Sequence, residues 1–454
     1  MTDISAWSLT DPHPEQGLDV LAKVDVLVVG AGAAGVAAAT VAAEAGRSVL
    51  IVERYGFAGG AAVAGMSGTI CGLYLASDND REPRQVVGGF TERFRRELTR
   101  RGGLTAPQIY GKTWTVAHDP LVWRETADAL LERAGVRVLF HTVVTGVVLD
   151  GVTHRGVVVE SNAGRAVVLA DRTIDASGDA AVVARAGHRY TFGDDGVIQN
   201  PTMFFRLGNV DVRRFTEFYG ADAICPPHVT EAIIDGRNAG LNLPRQKIWI
   251  FTTPRPGELM VNATRLSGRD GRMLNVIDPA DFTEAEILGR RQVRDYARFM
   301  IERFPGCENA FVVDTGVEAG IRQTRTIAGI ERLTNDDVLA ARKRDDGICR
   351  VPWPIELHAG DRPKLTWLLD DYYEVPYGTL VPDRGEHIIV AGRCLSAEHE
   401  ALASARVTAQ CFEYGHAAAM ATVLSLDGDI PYRELPGGEV RAAMAANGSA
   451  LSLS

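Results

Sequence analysis

The chain has 454 residues, 46% hydrophobic and 7% aromatic, which is ample for a globular core and long for a single one, so two lobes are expected. Its net charge of −10 and pI near 5.6 argue against nucleic acid or an anionic membrane surface as partner, since both favour a basic protein. The six cysteines (Cys71, Cys225, Cys307, Cys349, Cys394, Cys411) contain no C-x-x-C pair, so neither a disulfide framework nor a metal site is expected. With no signal-peptide pattern and no apolar run of membrane-spanning length, a soluble cytoplasmic protein with reduced thiols follows as the expectation.

Residues 1–22 read as a polar arm. The stretch after it, VDVLVVGAGAAGVAAATVAAEAGRSVLIVERYGFAGG, reads as a buried strand, a glycine turn, an alanine-rich helix, a second strand and an acid. Gly30 permits the tight turn, Gly32 lets the backbone approach a pyrophosphate, and Gly35 lets the helix pack on its strand. Ala33 and Ala34 open that helix. Glu53, with no basic residue immediately before it, suits the hydroxyls of an unphosphorylated adenosine ribose. A dinucleotide site is therefore expected. The next stretch, Tyr55 to Tyr74, is so rich in glycine and small residues that it suggests close approach to a large flat ligand, which favours FAD over a nicotinamide dinucleotide.

Amphipathic periodicity predicts a helix over Gly88–Arg101 and another over His118–Ala134, capped by Asp119 and Pro120. Val136–Asp150 and the two β-rich runs after it suggest a small meander ending in a buried strand at Asp175. Beyond Gly193 the pattern changes to a hairpin around Pro254–Gly257 and a long helix, Phe282–Phe304, opened by a capping box at Thr283 and Glu286. Ile388 onward returns to a short apolar strand, a glycine turn and a small-residue helix from about Ala405. The expected architecture is α/β: a Rossmann-like FAD-binding domain over residues 23–192 and 371–425, an inserted α+β substrate domain over 193–370, and a peripheral tail over 426–454. No second glycine fingerprint marks a separate nicotinamide-nucleotide domain.

Val24–Gly60, DASGDAAVVARAG, GIRQTRTIAGIERLTNDDVL, YEVPYGTLVP and IIVAGRCLSAEHEALASARVTAQC, taken together, resemble the FAD-dependent oxidoreductase family of bacterial flavoproteins. That family lies in the glutathione-reductase-like and fumarate-reductase-like class. The resemblance implies FAD as cofactor. It implies that Gly30, Gly32 and Gly35 hold the pyrophosphate, Glu53 and Arg54 the adenosine end, and Gly59, Gly60 and Ala61 the passage toward the ribityl chain. By the same resemblance Val143 or Val144 presents backbone to adenine, Ala176, Ser177, Gly178 and Asp179 form a second flavin turn, and Gly392 and Arg393 sit on the ribityl and pyrophosphate side. Where such sequences often carry an acid, this one has Gln323.

For chemistry, His399 is the candidate acid/base or flavin contact, with Glu398 and Glu400 beside it. Arg322, Arg325 and Arg406 are candidates for a substrate carboxylate, against structural pairing with Glu318 or Asp314. Tyr377 either closes over the flavin or packs between lobes. Cys71 lacks a second cysteine five residues on, where Ala76 stands, so a disulfide relay is not expected. These readings lead to an FAD-dependent dehydrogenase or reductase of a small organic molecule. An oxygen-inserting monooxygenase and a flavin-binding subunit of a redox complex are the alternatives. Oxygen, a quinone or a protein carrier would each serve as electron acceptor, and size and arm are compatible with a homodimer.

Overall fold

The structure, a computed structural model, describes residues 12–13, 17–79, 82–358 and 364–449. Its first long β-strand, β1 (Leu18–Val29), is longer than the sequence pattern implies. The start of this strand takes up residues assigned above to the arm, because Leu18 and Asp19 pair with Pro12–His13. The rest of that segment lies outside the described residues. The apolar run Val26–Val28 is wholly buried, each side chain worth ~1.5–3 kcal/mol of transfer free energy.

From β1 the chain passes through α1 (Ala33–Glu44) to β2 (Val49–Val52). The helices α2 (Gly89–Arg100) and α3 (Pro120–Ala134) follow. In α3 the Asp119 carboxylate accepts from the Leu121 amide at 2.8 Å, with Pro120 at the first helical position. Next comes β3 (Arg137–Leu139), which does not belong to the meander: it pairs parallel with β2. His141, in the left-handed region at φ 51°, turns the chain between it and β4 (Val143–Asp150), so the run read as one strand is two. The meander proper is β4, β5 (Thr153–Ser161) and β6 (Gly164–Asp175).

Four short strands and a helix come from the middle of the chain: β7 (Phe205–Gly208), β8 (Trp249–Thr252), β9 (Leu259–Asn262), α4 (Pro279–Arg303) and β10 (Phe311–Thr315). The helix starts earlier than expected. Asp278 caps it through the Ala280 amide at 2.8 Å, and an Asp-Pro start outcompetes the box at Thr283 and Glu286. Glu286 instead accepts from the Ala319 amide at 2.5 Å. Last come β11 (Ile388–Val390), α5 (Thr408–Gly428) and α6 (Gly437–Ala446).

The main sheet runs β3-β2-β1-β6-β5-β4. Strands β3, β2, β1 and β6 are mutually parallel, and β11 adds in parallel to the end of β6, at Thr173–Asp175. Helix α1 is apolar all round because sheet and α5 enclose it; a Cβ at Gly415 would lie 2.0 Å from the Ala34 carbonyl oxygen. A second antiparallel sheet, β8-β9-β7-β10, packs with α4 around its own core, which runs from Met203 to Ala319. Residues past it, among them Ile327, Ile348 and Trp353, rejoin the first core. The chain end is not peripheral either, since Tyr432, Leu435, Val440 and Met444 are buried there.

Candidate functional site

A cavity of about 570 Å³ opens at the carboxyl ends of β1, β2 and β6, the end of an open α/β sheet where ligands bind. Gly30 (φ 98°) turns the chain over the Ala176 carbonyl, and a Cβ on Gly35 would stand 1.8 Å from the Gly30 oxygen, so Gly35 lies beneath the wall as packing. Gly32 is different. A Cβ there would meet nothing nearer than 3.8 Å, so no protein contact requires glycine at that position. Helix α1 starts at this point without a side-chain cap or an acid in its first turn, and Ala33 and Ala34 line the cavity. Its first amides have no partner within the helix, and this uncapped, cationic helix end fits a pyrophosphate.

Glu53 is buried. Its oxygens accept from the amides of Ala31 at 2.7 Å and Tyr55 at 3.0 Å, and burial pushes its carboxyl up against those bonds. Arg54 and the Tyr55 hydroxyl both meet Glu318, which crosses from the other lobe. Gly59 (φ 145°), Gly60 (φ 48°) and Ala61 pass close by, as do Val143 and Val144 from β4. The turn after β6 splits its tasks. Asp175 faces inward and caps Ala181–Arg185 through the Val182 amide at 2.8 Å, while Ala176, Ser177, Gly178 and Asp179 reach the cavity. Arg393, beside Gly392 (φ 96°), donates to the Gly178 carbonyl at 3.0 Å, the Ile321 carbonyl at 2.8 Å and Asp179 at 2.6 Å. Burial works to raise the Asp179 carboxyl, but the Arg393 charge holds it below its ordinary range.

The far end of the cavity is a polar chamber with aromatic walls, and the sequence reading did not locate most of it. Tyr110 packs on Trp353 (centroids 4.9 Å) and donates to Glu356 Oε1 at 2.6 Å. His358 Nε2 lies 3.3 Å from the same oxygen. On the other side of that ring, Arg245 donates to His358 Nδ1 at 2.6 Å. An arginine only donates, so Nδ1 accepts, and the imidazole is the neutral Nε2–H tautomer pointed at Glu356. Burial and the neighbouring Arg322 keep His358 well below its ordinary pKa. Burial alone would raise Glu356; the His358 and Tyr110 contacts and the Arg406 charge outweigh it and keep the carboxylate ionised. Its second oxygen takes no hydrogen bond from the described residues.

Arg322 and Arg406 line the same chamber. Arg322 donates to the Asn200 carbonyl at 2.8 Å, and Arg406 to the side-chain oxygen of Gln199 at 3.0 Å. Arg325 lies nearer Asp179, whose carbonyl it meets at 3.3 Å. The structural pairing weighed for these arginines is not formed, because Glu318 is taken by Arg54 and Asp314 by Arg206.

His399 and Tyr377 do not reach the cavity wall. His399 begins a short helix, His399–Ala405, with Nδ1 buried and unpartnered among the described residues, so the acid/base role expected of it has no geometry here. The Tyr377 hydroxyl donates to the Tyr432 carbonyl at 3.0 Å, packing the chain end onto the first core. Gln323 is buried outside the wall as well. Glu356 and His358 had a signal in VPWPIELH: a lone acid inside an apolar run, which strand alternation turns to the face opposite Ile355 and Leu357. Among the described residues no cluster of side chains could hold a metal ion, and no helix is long and apolar enough to cross a membrane.

Sheet, glycine turn and cavity together define a dinucleotide-binding protein of the α/β class, with a polar chamber in the same cavity. A family profile described as FAD dependent oxidoreductase matches residues 25–444, and the chain belongs to that family. Its cofactor is FAD, and it is an oxidoreductase. Among solved structures, a geranylgeranyl bacteriochlorophyll reductase-like protein from Thermoplasma acidophilum is 15% identical with a TM-score of 0.46, over 94% of this chain and 82% of that one. A flavoprotein/dehydrogenase from Cytophaga hutchinsonii is 16% identical with a TM-score of 0.44, over 89% of this chain and 79% of that one. A myxobacterial FAD-dependent halogenase is 16% identical with a TM-score of 0.47, over 93% and 78%. Comparison with curated proteins returned no match.

Proposed function

We propose that the protein catalyses a two-electron oxidation or reduction of a small organic molecule held in the chamber beside Glu356, as a dehydrogenase or reductase of the glutathione-reductase-like and fumarate-reductase-like class. FAD, when bound, supplies the hydride acceptor or donor. In this reading residues 23–192 and 371–425 carry the cofactor: Gly32, Ala33 and Ala34 at the pyrophosphate, Glu53 and Arg54 at the adenosine end, Gly59–Ala61 along the ribityl chain. The lobe around β8 and β9 then supplies Phe251 and Asn262 to the substrate side of the cavity.

The carrying observation is the state of Glu356. Tyr110 and His358 both engage Oε1, which orients the carboxylate and leaves Oε2 without a hydrogen bond from the described residues, ready to accept the proton that a substrate O–H or N–H loses on oxidation. His358 is a positioning residue, since Arg245 occupies its other nitrogen. Anaerobic titration with alcohols, amines and acids, read by bleaching of the flavin absorbance, tests the assignment. Bleaching is expected in the wild type and is expected to slow at least a hundredfold in Glu356→Gln at equal flavin content. Reduction by a nicotinamide nucleotide followed by labelled oxygen in the product would favour the monooxygenase instead.

A further inference from the structure

The chamber's cations outnumber its anions. Arg322 and Arg406 both face it, Arg245 stands behind His358, and Glu356 is the carboxylate beside them; Glu53, Asp179 and Glu318, which also line the cavity, are held by backbone amides, by Arg393 and by Arg54. None of the three guanidiniums lies within 4.0 Å of a carboxylate among the described residues. Their partners are neutral: the Asn200 carbonyl, the Gln199 amide, and Asn262 with His358. The geometry leaves donors over. Arg322 uses one of its N–H groups in a hydrogen bond to protein. Arg406 Nε and Gln199 Nε2 are buried with no partner among the described residues. Buried donors and buried charges left unpaired are each costly, and a side chain that cannot shed its proton has no way to relieve the cost by titrating. Burial works against the charge on Arg322, and the like charges of Arg245 and Arg406 add to that.

Resting on the redox reading above, we infer that the substrate is a small organic acid whose carboxylate is held jointly by Arg322 and Arg406. One anionic group between the two arginines supplies the missing charge and accepts from the idle N–H groups, which arginine presents in a fork suited to a carboxylate. Glu356 is the counterpart. It is close enough to feel the Arg406 charge and too far to pair with it, so a ligand spans the gap with its carboxylate on the arginines and an O–H or N–H donor toward Glu356 Oε2. Phe204, Phe251 and Trp353 leave apolar wall for the hydrocarbon part.

The test is a binding titration of the oxidised holoenzyme, by calorimetry and by perturbation of the flavin spectrum, with glycolate and lactate against their uncharged amides. The acids are expected to bind at least tenfold tighter than the amides, with affinity falling as salt rises. Arg322→Gln and Arg406→Gln are expected to lose tenfold or more while flavin content and thermal midpoint stay near wild type, and Arg406→Lys to recover part of the loss. Should Arg322→Gln fail to fold, the Arg406 pair of variants and the acid-to-amide ratio decide alone. Equal binding of acid and amide, or variants that bind as wild type does, would overturn the inference. Bleaching by a neutral compound alone would overturn it and leave the redox reading standing. Tight acid binding without bleaching by any compound would do the reverse.

Discussion

Arg393 donates to Asp179 Oδ1 at 2.6 Å and so joins the turn after β6 to the turn after β11, positions 214 residues apart in the chain. Its other donors hold the Gly178 and Ile321 carbonyls, which makes the guanidinium a clip between cavity walls. Arg393→Ala takes from Asp179 its ion-pair partner and leaves it, mostly buried, with the Thr324 hydroxyl at 2.7 Å, a defect of ~3 kcal/mol. The expected outcome is a lower thermal midpoint and loss of most bound flavin, measured as the flavin-to-protein ratio after gel filtration. Full flavin occupancy in the variant would show that the walls assemble without the clip.

Two glycines of the first turn separate packing from ligand contact. Gly35→Ala drives a methyl into the Gly30 carbonyl, 1.8 Å away, so the chain is expected to misfold or melt far below wild type. Gly32→Ala meets protein no closer than 3.8 Å, so it is expected to fold normally and purify without flavin. Circular dichroism melts paired with flavin absorbance distinguish the two outcomes.

Proton transfer at Glu356 carries a pH signature. The hydrogen bond from Tyr110 helps keep this carboxyl below its ordinary range. Tyr110→Phe removes that bond, the folded pKa rises, and the acid limb of the rate of flavin reduction is expected to move to higher pH. His399→Ala is expected to leave both limb and rate unchanged, because its side chain does not line the cavity. An unmoved limb in Tyr110→Phe would detach the proton step from Glu356.

Glu413, in the middle of α5, accepts from the Thr91 amide at 3.1 Å and from Ser449 Oγ at 2.8 Å. Burial raises its carboxyl from 4.5 to about 7. A folded pKa above the unfolded one means that the group's stabilising contribution is complete below about 4.5 and is lost as pH climbs through about 7. A shift of this size corresponds to about 3 kcal/mol. Glu413→Gln is expected to flatten the stability profile between those limits and to raise the denaturation midpoint at pH 8.

The nucleotide half of the site was legible because its chemistry is local. Gly30, Gly32, Gly35 and Glu53 sit within one strand-turn-helix-strand unit, where spacing along the chain is spacing in the fold. The chamber was not, because Tyr110, Arg245, Arg322, Glu356 and Arg406 come from five separate segments that only the tertiary fold brings together. His399 is the complementary case: it is near Gly392 in sequence, but the short helix it begins leaves it outside the cavity lining. At the start of α4, the Asp278-Pro279 pair caps the helix ahead of a capping box whose spacing in the sequence is equally plausible.

The parallel register of β1, β6 and β11 also has a consequence for biosynthesis. The fingerprint leaves the ribosome long before the strand that completes the cavity edge, Ile388–Val390, and the helix packed on α1. Until they emerge, Gly415 is not against Ala34 and Arg393 is not on Asp179, so nascent chains hold an open half-site. Contacts this distant in sequence form slowly. Cofactor capture is therefore expected to wait for these segments, and a chain stopped at residue 380 is expected to carry no flavin however much FAD is supplied.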